Sequence, residues 1–182
     1  MLTCFYYSTF HFGIGKSFVL CKNDGMKSKE IVIILNDIRS AHNVGAMFRT
    51  AEAAGVSKIY LTGYSPAPLD RFGRERTDIA KAALGAEKLL AWEQAQDTEK
   101  LLKNLKQDGF DIVAVEQAGN SVNYRDYKVG EKTALVFGNE VDGVSESILK
   151  QSDSIIEIPM KGKKESLNVS TSAGVVLFRL SE

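Results

Sequence analysis

At 182 residues the chain fits one domain and is long enough to bury most of a core. A hydrophobic fraction of 44% with 25% charged residues excludes a disordered chain. Lysine plus arginine equals aspartate plus glutamate, 23 of each, so no global positive field announces a nucleic-acid partner. A basic patch on a neutral protein stays possible on that balance.

The first two dozen residues carry both cysteines, Cys4 and Cys21. They form no CxxC pair and have no histidine at ligand spacing, so two reduced thiols and no metal site are expected. Leu2–Cys21 is apolar but interrupted by His11, Gly13, Gly15 and Lys16, which suits neither a signal peptide nor a membrane span. A cytoplasmic protein is the expectation. Gly15-Lys16-Ser17 looks like the end of a phosphate loop, but Phe10 stands where that motif needs a glycine.

From Ile31 onward the pattern becomes regular. Short β-rich runs recur at Ile31–Leu35, Lys58–Thr62, Ile112–Glu116, Ala134–Phe137 and Ser154–Ile158. Most are continuously apolar, as strands covered on both faces of a parallel sheet are. Between them a helix is predicted to begin near Asn43, with Asn43 as its cap. Val44, Met47, Phe48, Ala51 and Gly55 share one helical face, while Gly45, Arg49 and Glu52 lie on another. Thr98–Gln107 reads as a helix stopped before Gly109, a shorter helix starts near Ser145, and Ser166 to Leu180 reads as a final helix. Strands alternating with helices give an α/β sheet.

Segment Gly63–Arg76 holds Pro66, Pro68 and Gly73, then Arg71, Arg74 and Arg76, with Lys81 beyond. A long irregular loop in a compact domain is usually functional. Placed after a strand end, it is a candidate contact for RNA phosphates.

Three further segments carry chemistry, although each alone has an ordinary explanation. Asn36–Gly55 runs from a strand through polar residues into a helix, and Arg49 with Glu52 could be a surface ion pair worth a few tenths of a kcal/mol. Leu135–Ser145 runs from a buried strand into a loop bounded by Gly138 and Gly143, with a carboxylate, Glu140, at the strand's carboxyl end. Ile156–Ser170 ends a strand at Pro159 and continues through Lys161, Lys163 and Lys164 to Ser166 and Asn168, which compete as helix caps.

Together, in this order, the three segments resemble the signature motifs of the SpoU family within the SPOUT methyltransferases. The run from Asn43 to Glu52, the Phe137-Gly138-Asn139-Glu140 turn, and Ile158-Pro159-Met160 followed by Ser166-Leu167-Asn168-Val169-Ser170 carry the resemblance, which covers roughly Ile31 to Leu180. It implies a parallel sheet with a C-terminal trefoil knot, an exception to the unknotted rule, in a homodimer with the active site beside the dimer contact. It implies S-adenosylmethionine held by groups at Gly138, Ile158, Met160 and Leu167, with further contacts near Leu135 and Asn139. The implied reaction is methylation of a ribose 2′-hydroxyl in tRNA or rRNA. Arg49 matches the family's catalytic arginine, and Asn43, Glu140, Ser166 and Asn168 match the polar positions that orient it, the ribose and the donor. Arginine stays protonated in proteins, so Arg49 either loses a proton with special help or remains charged, grips a phosphate and stabilises the forming alkoxide. Arg71, Arg74, Arg76, Lys163 and Lys164 are the expected RNA contacts. No metal is implied.

The sequence leaves two alternatives: a base atom as methyl acceptor, or a non-catalytic RNA-binding protein of the same fold. Residues 1–25 lie outside the resemblance, and the expectation is that the catalytic domain spans 26–182 with Met26 as the natural start. The leader's aromatics (Phe5, Tyr6, Tyr7, Phe10 and Phe12) offer a second possibility, that it packs on the dimer or gathers RNA by stacking.

Overall fold

The structure, a computed structural model, describes residues 29–182. The expectations for the leader and for Met26 therefore lie outside the described residues.

Seven strands form one sheet: β1 (Glu30–Asn36), β2 (Lys58–Thr62), β3 (Ala91–Ala95), β4 (Asp111–Val115), β5 (Val122–Asn123), β6 (Lys132–Phe137) and β7 (Ser154–Glu157). Their order across the sheet is β3-β2-β1-β6-β4-β7-β5, and every neighbouring pair is parallel. All carboxyl ends thus lie along one edge. Ile33, Ile34, Leu35, Leu135 and Val136 are wholly buried, because helices cover both faces of the sheet centre. On one face pack α1 (Ala41–Ala53), α2 (Thr77–Ala83), α3 (Ala86–Leu89) and α6 (Val169–Leu180); on the other pack α4 (Thr98–Gln107) and α5 (Glu146–Gln151).

The predicted strands are all present, within two residues at each end. Two were not anticipated. Strand β3, Ala-Trp-Glu-Gln-Ala, lies at the sheet edge with mixed exposure, so its sequence lacks an apolar run. Strand β5 spans two residues and has no pattern to show. Helices α2 and α3 are similarly too short for a periodic signal.

The helix starts need correction. Ser40, not Asn43, caps α1: its Oγ accepts from the Asn43 backbone N–H at 3.3 Å. Asn43 already lies inside the first turn, leaving its side chain free for longer-range bonds. The last helix begins at Val169 with Asn168 as its cap, so Ser166 and Leu167 belong to the preceding loop. Asn168 Oδ1 accepts from the Ser170 N–H at 2.9 Å and the Ser170 hydroxyl at 2.6 Å.

Val44, Met47, Phe48 and Ala51 are fully buried, as the helical periodicity requires. Gly45 is buried too, under α2: a Cβ there would lie 2.5 Å from the Ile79 carbonyl oxygen. That face of α1 is a helix contact at its start and becomes solvent-exposed only at Arg49 and Glu52. After β7, which lies between β4 and β5, the chain crosses back to pack α6 on α1, bringing the loop 158–168 beside the β6 turn.

Candidate active site

A cavity of about 510 Å³ opens at the carboxyl ends of β4, β6 and β7. Ligands in open α/β sheets bind at this kind of place, where strand order reverses. Its floor is Val115 and Phe137; its walls are the turn 138–143, Ile158 with Met160, and the segment Ser166–Val169.

The turn after β6 is tightly built. Asn139 and Gly143 exchange backbone hydrogen bonds at 3.1 and 3.0 Å. The Asn139 side chain accepts from the N–H groups of Val141 (2.7 Å) and Asp142 (3.1 Å) and donates to the Asp37 carbonyl at 3.0 Å and to the Tyr64 hydroxyl. Glu116 accepts from the Val144 N–H at 2.8 Å. Two glycines are required here. A Cβ on Gly138 would lie 2.3 Å from the Gly143 carbonyl carbon, and Gly143 has φ +68 with Glu116 where its Cβ would be.

Glu140 connects this turn to α1. Its carboxylate accepts from the Arg39 N–H (2.9 Å), the Ser40 N–H (3.1 Å) and Asn43 Nδ2 (2.7 Å). Asn168 Nδ2 in turn donates to Asn43 Oδ1 at 3.2 Å. Asn43 thus joins two residues 97 and 125 positions away into one polar chain, Glu140–Asn43–Asn168. A carboxylate at a helix N-terminus is also favoured by the helix dipole. Burial pushes the Glu140 carboxyl up, but the donors from Arg39, Asn43 and Ser40 outweigh it and hold the group below its ordinary 4.5.

A stability prediction follows from that direction. The folded carboxyl releases its proton at lower pH than the unfolded one, so its contribution is complete above about pH 4.5 and is lost as pH falls through the lower folded value. Glu140→Gln should lower stability at neutral pH by about 1 kcal/mol and make the acid-side decline shallower. Thermal unfolding between neutral and acid pH measures both; parallel curves for the two proteins would show that the Glu140 hydrogen bonds do not stabilise the fold.

The sequence-predicted residues divide by position. Gly138, Asn139, Glu140, Ile158, Met160, Ser166, Leu167 and Asn168 all line the cavity. Leu135 does not: it is wholly buried in the sheet centre, two residues before the strand ends. Asn43 and Arg49 lie outside the lining, on α1. Arg49 is exposed and pairs with no other described residue, so the ion pair with Glu52 is not formed. Arg74 is bound to Asp70 and Arg76 to Asp78, whereas Arg71, Lys163 and Lys164 are exposed and make no ion pair among the described residues.

Sequence reasoning missed Glu116, Gln117, Asp142 and Glu157, all of which line the cavity. Glu116 stood at the end of a predicted strand, as did the turn bearing Glu140, and the same positional rule would have found it. Four of the lining residues are acidic, Glu116, Glu140, Asp142 and Glu157, and none is a lysine or arginine. Such a site favours a cationic ligand over a phosphate-bearing one.

The sequence model of the SpoU rRNA Methylase family matches residues 30–178. The chain belongs to that family. Among SpoU relatives, it is 33% identical over 152 residues to a tRNA (guanosine(18)-2′-O)-methyltransferase of Aquifex aeolicus, covering 84% of this chain and 69% of that one. It is 32% identical over 154 residues to the 23S rRNA (guanosine-2′-O-)-methyltransferase RlmB of Neisseria meningitidis, covering 85% of this chain but 59% of that one. The A. aeolicus TrmH/SpoU tRNA modifying enzyme superimposes with a TM-score of 0.74 at 31% identity, over 84% of this chain and 74% of the other. An AdoMet-bound rRNA methyltransferase from Sinorhizobium meliloti does so with a TM-score of 0.75 at 28% identity, over 83% of this chain and 55% of the other. The SpoU domain described here therefore spans between about half and three quarters of these relatives. No helix among its described residues is long and apolar enough to cross a membrane.

Proposed function

We propose that this protein transfers a methyl group from S-adenosylmethionine to a ribose 2′-hydroxyl of tRNA or rRNA. The observation that carries the reading is the carboxylate-lined cavity at the strand ends, joined to the Arg49-bearing helix by the Glu140–Asn43–Asn168 chain. The residues fit the donor. Close backbone at Gly138 and apolar side chains at Ile158, Met160 and Leu167 suit an adenosine, and the carboxylates suit its positive charges.

When bound, the donor supplies a methyl already activated as a sulfonium, so the chain's task is alignment. The turn 138–143 and Ser166–Asn168 form the surface against which the donor is oriented. Asn43 and Asn168 fix α1 relative to that surface. Arg49, without a partner among the described residues, stays charged, grips a phosphate of the RNA in its planar fork and stabilises the forming alkoxide, while the 2′-hydroxyl proton passes to water. Carbon–oxygen bond formation and carbon–sulfur cleavage then leave a neutral thioether. Lys163 and Lys164, in the loop before α6, supply further phosphate contacts.

The working unit in this reading is a homodimer in the cytoplasm. Leu167 and Phe178, 42% and 52% exposed, leave apolar surface beside the cavity and on α6. Arg49 lies outside its own protomer's cavity lining, so a second copy brings the arginine and a donor site together.

The test is to incubate the pure protein with methyl-labelled S-adenosylmethionine and total tRNA and rRNA, with no added metal. Ribose methylation blocks alkaline cleavage, so label is expected in alkali-resistant dinucleotides. Label confined to methylated bases would move the acceptor to a base atom, and absence of donor binding in calorimetry would leave a non-catalytic RNA-binding protein.

A further inference from the structure

A second cavity, about 750 Å³, lies at the carboxyl ends of β2 and β3 and is built from the loop that leads into α2. Its most unusual feature is Phe72, an aromatic ring 64% exposed at the tip of a closed turn. The turn is held by one carboxylate. Asp70 Oδ1 accepts from the N–H groups of Phe72 (2.8 Å) and Arg74 (2.9 Å), and Asp70 Oδ2 accepts from Arg74 Nε at 2.8 Å. Backbone bonds from Gly73 to Asp70 and from Asp70 to Arg74, each 2.9 Å, close the ring, and Leu69 bridges Glu75 below it.

Phe72 thus contributes nothing to the core, yet its backbone is fixed. Two guanidinium carbons sit 4.7 Å (Arg71) and 5.0 Å (Arg74) from its ring centroid. An exposed aromatic ring on a fixed backbone, with arginines stacked over it that a base can displace toward its own phosphates, suits a partner that is both planar and anionic. A nucleotide has both properties, and preorganisation lowers the cost of binding it. Tyr64, 59% exposed, stands on the same cavity wall, and Gln94 offers a donor and an acceptor.

Position adds an independent argument. The Tyr64 hydroxyl accepts from Asn139 Nδ2, and Asn139 lines the donor cavity. One side-chain contact therefore separates the two cavities. A strand presenting one ribose at the mouth of the donor cavity passes this wall with a neighbouring nucleotide.

We infer that Phe72, with Arg71 and Tyr64 beside it, is a stacking platform for an unpaired nucleobase of the RNA, adjacent in space to the methylated ribose. The inference rests on the RNA reading above. Arg71, without an ion pair among the described residues, holds a phosphate that flanks the stacked base, and the ring supplies the base contact.

The experiment uses the full chain and a short fluorescein-labelled oligouridylate carrying one 5-iodouridine, with no methyl donor present. Binding is read by anisotropy, and irradiation followed by mass spectrometry locates the cross-link. Phe72→Ala and Phe72→Leu are each expected to weaken binding about five- to a hundredfold, the range for loss of one base–aromatic stack. Phe72→Trp should retain binding, and the wild-type cross-link should fall on Phe72. All three substitutions should leave S-adenosylmethionine affinity unchanged, since Phe72 lies outside the donor cavity. A Phe72→Leu protein that binds the oligonucleotide as tightly as wild type overturns the platform, as does a cross-link confined to other residues. The two readings separate cleanly. A protein that stacks the base at Phe72 but methylates no RNA keeps the platform and loses the proposed activity. One that methylates RNA with no dependence on the ring loses the platform alone.

Discussion

Arg49→Ala is expected to slow methyl transfer by at least about a hundredfold, the usual cost of removing a group that stabilises developing charge. Folding and donor affinity should hardly move. Arg49 is exposed and has no partner among the described residues, so its removal leaves nothing unsatisfied. It also lies outside the cavity lining, where the donor is placed. Arg49→Lys should be nearly as slow, because a point charge does not reproduce a planar two-pronged grip on phosphate. Single-turnover rates with saturating donor, alongside calorimetric donor binding, separate the two effects. A lysine variant with near-normal turnover would reduce Arg49 to a general attractor of RNA.

Gly138→Ala should have the largest structural effect of any single methyl group at the site. The added carbon would stand 2.3 Å from the Gly143 carbonyl carbon, 2.4 Å from its oxygen and 2.5 Å from the Val144 nitrogen. All three are backbone atoms of a turn that Asn139 and Glu116 already hold, so no side chain can swing aside. A cost of about 3 kcal/mol is expected, at the upper end for overpacking, with donor affinity down at least about tenfold as the turn is displaced. Gly162→Ala is the control. Its Cβ would meet nothing within 4 Å, and its effect on melting temperature should be near zero. Equal melting temperatures for the two variants would mean that the turn is looser than its hydrogen bonds indicate.

Much of the fold was legible because a doubly covered parallel sheet writes itself as continuous apolar runs. Ile31–Leu35 and Ala134–Phe137 are such runs, and they became the sheet centre. Strand β3 was not legible, since an edge strand with Glu93 and Gln94 exposed needs no apolar pattern. The site shows the same division. Glycines and a carboxylate at a strand end mark the turn 138–143 in the sequence itself. What Asn43 does was hidden: its bonds run to Glu140 and Asn168, 97 and 125 positions away. Local reading offered a helix cap, and Ser40 fills that place instead. Phe72 was passed over for the opposite reason. One aromatic in a proline-containing loop carries no periodicity, and only its exposure on a locked turn sets it apart.

The strand order has a consequence for how the molecule is made. During synthesis β1, β2 and β3 emerge before the other strands and are neighbours in the finished sheet. Strand β4 follows, but its partners in the finished sheet are β6 and β7, both still to be made. Likewise β1 keeps an open hydrogen-bonding edge until β6 arrives, pairing Glu30 with Lys132. A ribosome adding about 5–20 residues each second leaves that edge bare for several seconds, long enough to invite the wrong neighbour. The nascent chain therefore depends on β6 to close the sheet at its middle, and a product cut before Lys132 would leave β1 open along that edge.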